Sequence, residues 1–157
     1  MKNKKSYTVD EATKVLENYC AYQERCHKEV EQKLYDLNMI SEAKDHIILH
    51  LLQHNYLNEE RYAKSFVRGK FGIKKWGKIK IINQLKFKGI SDYNIKSGLK
   101  EINESEYLET LQTIAEKKLP LIKETNPYKK STKLATFLIS KGFESELVFR
   151  IVKELTQ

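Results

Sequence analysis

Apolar residues recur along the chain at helical rather than strand spacing. Ala12, Val15, Leu16 and Tyr19 share one face, and Val30, Leu34 and Leu37 another. Ile47, Ile48, Leu51 and Leu52 form a third. Tyr62, Ala63, Phe66 and Val67 open a second group, followed by Ile79, Ile82 and Leu85, then Ile95, Leu99 and Ile102. A third group holds Tyr107, Leu111, Ile114 and Ala115, then Leu134, Ala135 and Leu138, then Leu147, Val148, Ile151 and Val152. Nine helices are predicted. With six glycines and two prolines the chain lacks the turn residues that strand-rich proteins need.

The pattern repeats. Leu34 precedes Asn38-Met39, Leu85 precedes Gly89-Ile90, and Leu138 precedes Gly142-Phe143, at offsets of 51 and 53 residues. Each is a helix stop. Asn or Gly takes the left-handed conformation, and the apolar residue after it folds back on the last turn. Asn38, Gly89 and Gly142 are therefore expected at positive φ, with Ser41, Ser91 and Ser145 capping the helices that follow. Thr8-Val9-Asp10-Glu11 reads as a capping box with Tyr7 and Ala12 as its staple. Asn58 and Asn103 open the second and third groups, Asn103 with Glu106 as another box. Pro120 should end or kink the seventh helix.

The fold class predicted is all-α. Three tandem three-helix, helix-turn-helix-like repeats span residues 8–57, 58–102 and 103–157. Each is too small to stand firmly alone, so neighbours must stack into an elongated, curved array.

Charge changes the picture most. The net charge is +8, yet residues 61–91 contain no Asp or Glu and carry ten basic residues. These are Arg61, Lys64, Arg68, Lys70, Lys74, Lys75, Lys78, Lys80, Lys86 and Lys88. The other 19 basic residues face 21 acidic ones, so the positive excess lies in one segment. Such a field attracts a polyanion or an acidic protein surface; a solvated lysine-rich face is the plainer account. On a helical wheel Arg61, Lys64, Ser65 and Arg68 share one polar side, and Lys80, Asn83, Gln84 and Phe87 another. Phe87 is thereby either an exposed anchor beside lysines or a side chain buried against a neighbouring repeat. Trp76 either caps the core or meets a partner.

Other chemistry is thinly represented. His46, His50 and His54 lie at i, i+4 and i+8 and could form one stripe, but nothing beside them completes a metal site, so an exposed polar stripe is the expectation. Cys20 and Cys26 have neither disulfide-framework nor zinc spacing and read as free thiols. There is no phosphate-binding glycine loop and no nucleophile–base–acid set, so no enzyme, cofactor or metal is expected. No apolar run is long enough to span a bilayer, and the basic start, Met1 to Ser6, is not followed by the core of a secretory signal. A cytoplasmic monomer is expected.

Two segments carry a family resemblance. Asn55-Tyr56-Leu57-Asn58-Glu59-Glu60-Arg61-Tyr62-Ala63 resembles the Gly-Tyr-Leu-(Asn/Asp)-(Asp/Glu)-Glu-Arg-(Tyr/Phe)-Ala signature of RecX regulators. The run from Gly77 through Lys78, Ile82 and Leu85 to Lys88-Gly89-Ile90 is similar to that family's second element, and Lys141-Gly142-Phe143 to its C-terminal one. Similarity covers roughly residues 8 to 155. In the first repeat Cys26 stands where the family carries a Ser cap and Asn38 where it carries Gly, and the loop after Met39 reads as longer than its counterparts. The resemblance implies a protein lodged in the helical groove of the RecA–DNA filament, restraining filament growth, ATP hydrolysis and strand exchange. The filament-binding residues expected are Arg61, Lys64, Arg68, Lys74, Lys75, Lys78, Lys80, Lys86, Phe87 and Lys88, with weak non-specific affinity for DNA. The spacing of Leu85, Gly89 and Ile95 also suits a helix-turn-helix protein acting on duplex DNA, which is the alternative.

Overall fold

A computed structural model describes residues 6–157; most of the basic start, Met1 to Lys5, lies outside that range. Nine α-helices follow one another, and no strand occurs among the described residues. They are α1 (Val9–Tyr22), α2 (His27–Asp36), α3 (Ser41–Gln53), α4 (Glu59–Gly72), α5 (Lys78–Phe87), α6 (Asp92–Leu99), α7 (Glu104–Lys118), α8 (Pro127–Ser140) and α9 (Ser145–Thr156). Pro120 lies in a 3₁₀ turn, Leu119–Leu121, that ends α7. The helices pack as α1–α3, α4–α6 and α7–α9.

The stops are built alike. Asn38, Gly89 and Gly142 have φ of 60°, 78° and 100°. The residue after each donates its N–H back to the paired leucine: Met39 to Leu34 O at 3.1 Å, Ile90 to Leu85 O at 3.0 Å, and Phe143 to Leu138 O at 3.3 Å. This is the Schellman arrangement. At Asn38 the conformation strains any side chain that cannot hydrogen-bond locally. Asn38→Ala should therefore cost about 1 kcal/mol, read as a lower urea midpoint at unchanged slope; an unchanged midpoint would show that Asn38 tolerates φ 60° no better than Ala.

Three expectations are corrected. Ser41 and Ser145 are first helical residues; the N-caps are Ile40 and Glu144, whose side chains make no cap hydrogen bond. Ser91 does cap α6, accepting from Asn94 N–H at 3.2 Å. The loop after Met39 is not longer than its counterparts, because α3 begins at Ser41 as α6 begins at Asp92 and α9 at Ser145. In α5 the residue facing the core is Ile81, fully buried, whereas Ile79 is 44% exposed. The two differ by over half a turn, and the packing of α5 against α4 and α6 turns Ile81 inward.

Thr8, Asn58 and Asn103 cap as expected, accepting from Glu11, Arg61 and Glu106 N–H at 3.1, 2.9 and 3.0 Å. Cys26 takes the cap position of α2, and the Glu29 carboxylate accepts from its backbone N–H at 3.0 Å. Both cysteines are free and buried; burial pushes the Cys20 thiol up to about 11 and also raises Cys26.

The core is in two parts. One is drawn from residues 12–57 alone. The other runs continuously through the second and third repeats and takes in Cys26. The accessible surface, 10393 Å², exceeds the roughly 8,200 Å² of a compact monomer of this mass, as a stacked array requires.

Candidate functional site

The second and third repeats are locked where two helix ends meet. Gly77 N–H donates to Lys141 O at 2.8 Å, and Ile79 N–H to Gly142 O at 2.9 Å. Carbonyls at the C-terminal end of α8 thus satisfy free N–H groups at the start of α5, with the helix dipoles aligned favourably. Tyr107, fully buried, completes the lock. Its hydroxyl accepts from Lys78 N–H at 3.0 Å and donates to Glu144, and its ring lies 5.3 Å from Phe143 and 5.7 Å from Phe71. Burial, then the bond to Glu144, raises its hydroxyl well above the ordinary range.

This junction fixes the direction of α5, and with it the basic surface. The ten cations of residues 61–91 divide into groups the sequence did not separate. Four are paired with carboxylates. Arg61 Nε donates to Glu24 Oε1 at 2.6 Å, Lys64 sits 3.2 Å from Glu60, Arg68 3.1 Å from Glu101, and Lys78 bonds Glu104. The more exposed pairs, Lys64–Glu60 and Arg68–Glu101, contribute little to stability, but all four lower the charge available to a partner.

A second group surrounds Trp76. Lys80 Nζ stands 4.4 Å and Lys70 Nζ 4.9 Å from its ring, and Phe66 meets it edge-on at 6.4 Å. Trp76 therefore both packs against the second core and holds two ammonium groups at the surface through cation–π contacts. Lys74 and Lys75 follow in the exposed turn after α4, Lys75 at φ 59°, and Ile73 beside them is 80% exposed.

The third group lies at the far end of α5. Phe87 is 78% exposed, so it is not buried against a neighbouring repeat. Lys86 is exposed and Lys88 half-buried. Lys74, Lys75 and Lys86 have no ion-pair partner among the described residues.

The first repeat adds residues that the charge count overlooked, because acidic neighbours in sequence cancel them. Lys28 Nζ donates to Phe87 O at 2.8 Å and stands 5.6 Å from its ring. Arg25 lies 3.7 Å over the Tyr19 ring, whose other cation is Lys33 at 5.5 Å. A groove of about 360 Å³ between α2 and the end of α5 is lined by Tyr19, Lys28, Lys33, Phe87 and Lys88, with Glu29 and Asp36 among them.

The histidine stripe is partly engaged inside the fold. His50 Nε2 is 3.0 Å from Glu17 Oε2 and its ring 4.4 Å from that of His54, while His46 is exposed. Among the described residues no three His, Cys, Asp or Glu side chains are placed to hold a metal ion, and no helix is long and apolar enough to cross a membrane.

Comparison with known proteins agrees with this architecture. Residues 58–99 match the sequence model described as RecX, second three-helix domain, and residues 104–152 that of RecX, third three-helix domain. Regulatory protein RecX of Clostridium botulinum is 32% identical over 145 residues, covering 91% of this chain and 66% of that protein. The protein of the same name from Clostridium beijerinckii is 30% identical over 148 residues, covering 93% and 67%. The chain thus spans about two thirds of the length of these relatives. A crystal structure of RecX from Lactobacillus salivarius superposes with a TM-score of 0.82 at 29% identity, covering 94% of this chain and 96% of that one. A fold of three stacked three-helix repeats, two of them matched by the family's own repeat models, places the chain in the RecX family of regulatory proteins.

Proposed function

We propose that this chain regulates the RecA recombinase by lodging in the helical groove of the RecA–DNA filament and restraining filament growth, ATP hydrolysis and strand exchange. The observation that carries the reading is a cationic, aromatic surface on a rigid mount, in a chain of this family. Lys70 and Lys80 stand over Trp76, with Lys74 and Lys75 in the exposed turn before it, at one end of α5, and Lys86 and Lys88 flank an exposed Phe87 at the other. Lysines supply long-range attraction to a polyanionic assembly, and the aromatic and apolar groups supply short-range contact once it is reached.

A sequence-reading helix-turn-helix is served less well. In that reading α6 enters the major groove. At its start Ser91 is engaged as a cap and Asp92 would face phosphates, and further along Ser97 bonds Glu60 at 3.1 Å. Tyr93, Asn94 and Lys96 are the polar side chains left there to meet base edges.

The test compares RecA filaments with naked DNA. The chain should bind filaments clearly more tightly than duplex or single-stranded DNA, and its weak DNA binding should be sequence-neutral and fall steeply with salt. It should also slow DNA-dependent ATP hydrolysis by RecA of the same organism. If growing ends are blocked, ratios to RecA well below one suffice; groove coating needs near-stoichiometric amounts. Strong preference for one duplex sequence with no effect on RecA would overturn the reading.

A further inference from the structure

The first repeat is held to the rest by a clasp of polar contacts. Its core is its own, and Cys26 is the one described residue of that repeat buried in the core of the other two. The remaining links are polar: His27 N–H to Glu59 at 3.4 Å, Lys28 Nζ to Phe87 O, the Tyr62 hydroxyl beside Cys26 and Glu29, and the Arg61 guanidinium. Arg61 reaches Glu24 through Nε and, through Nη2, the carbonyls of Asn55 at 2.9 Å and Tyr56 at 3.3 Å. Glu24 is poorly matched to it. Oε1 takes the bond, while Oε2 is buried with no hydrogen-bond partner. A half-satisfied, partly buried carboxylate is a weak hold, because the unpaired oxygen keeps its desolvation cost.

We propose that Glu24 is an autoinhibitory latch. It occupies Arg61 in the free chain and yields it to a DNA phosphate, freeing the first repeat to pivot about Cys26 and lengthening the basic face. Arg61 heads the basic segment, so its release adds an unpaired cation at the start of α4, beside the cleft that Glu24 and Lys70 line. A phosphate can meet a guanidinium with two oxygens where Glu24 offers one, and it displaces counterions on binding. The apolar seam that opposes opening is small, since one buried thiol forms its centre. The inference rests on the basic-surface reading above.

The test uses the full chain and a fluorescent 30-nucleotide oligothymidylate at low salt. The variants are Glu24→Gln, Arg61→Gln, the double variant, and Glu31→Gln as a control with the same charge change on the exposed side of α2. Glu24→Gln should bind about 3- to 10-fold more tightly than Glu31→Gln, the effect of one added phosphate contact. Arg61→Gln should bind more weakly than wild type, and adding Glu24→Gln to it should gain no more than Glu31→Gln does alone. Small-angle scattering gives a readout that needs no DNA: Arg61→Gln should raise the radius of gyration at unchanged helicity. Equal binding by Glu24→Gln and Glu31→Gln, or an unchanged radius for Arg61→Gln, would overturn the latch while leaving the basic surface standing. Absence of binding by every variant would overturn both.

Discussion

Gly77→Ala and Gly142→Ala should each cost about 3 kcal/mol or more, the range of severe overpacking at a site with nowhere to relax. A Cβ on Gly77 would fall 2.2 Å from Gly142 C, and one on Gly142 would fall 2.3 Å from Lys80 Cβ and 2.7 Å from Lys80 N. These are backbone or near-backbone atoms, so relief requires α5 and α8 to move apart, breaking the bonds from Gly77 and Ile79 to the third repeat. The two substitutions separate two causes. Gly77 has φ −74°, so its cost is pure collision, whereas Gly142 adds the strain of φ 100°. Gly89→Ala is the control: at φ 78° its Cβ meets only the flexible end of Lys28 at 3.2 Å, and about 1 kcal/mol is expected. Urea and thermal unfolding decide it. A Gly77→Ala chain within about 0.5 kcal/mol of wild type, the usual range for an uncrowded surface site, would refute the head-to-tail lock.

Reversing Lys74, Lys75 and Lys86 to Glu should reduce affinity for single-stranded DNA at low salt on the order of 100-fold and flatten its salt dependence. All three are exposed and unpaired among the described residues, so helicity and unfolding midpoint should hold. The same reversal at Lys64 and Arg68 should do less to binding, because Glu60 and Glu101 already neutralise these side chains. Equal losses from the two sets would show that the internal pairs open freely and that every cation of the segment counts alike.

The fold was largely legible in the sequence, because the signals that specify it are local. A leucine, then Asn or Gly four residues on, then an apolar residue, is enough to close a Schellman turn. Thr8 with Glu11 is likewise enough to start a helix. What could not be read depends on partners far along the chain. Arg61 and Glu24 are 37 positions apart, and nothing near either one announces the pair. Gly77 looks like an ordinary N-terminal residue of α5 until Gly142 is laid against it. A glycine where Ser, Thr, Asp or Asn would cap better was the available hint. Ile79 and Ile81 are equally apolar, and the packing of α5 against α4 and α6 decides which is buried. The candidate surface was legible as a count of charges but not as a set of free ones, since carboxylates from outside the segment remove Arg61, Arg68 and Lys78 and the local Glu60 removes Lys64.

The division of the core also sets an order of events at the ribosome. The first repeat draws on residues 12–57 alone and can close while the remainder is still being made. The second repeat cannot. Its apolar side is completed by the third, and Val152 near the far end belongs to the same cluster. Synthesis at 5–20 residues per second leaves roughly 3–10 s between the emergence of Ile102 and that of Val152. During that interval α4–α6 present an unfinished apolar side on a strongly cationic segment, whose charge keeps nascent chains from adhering to one another.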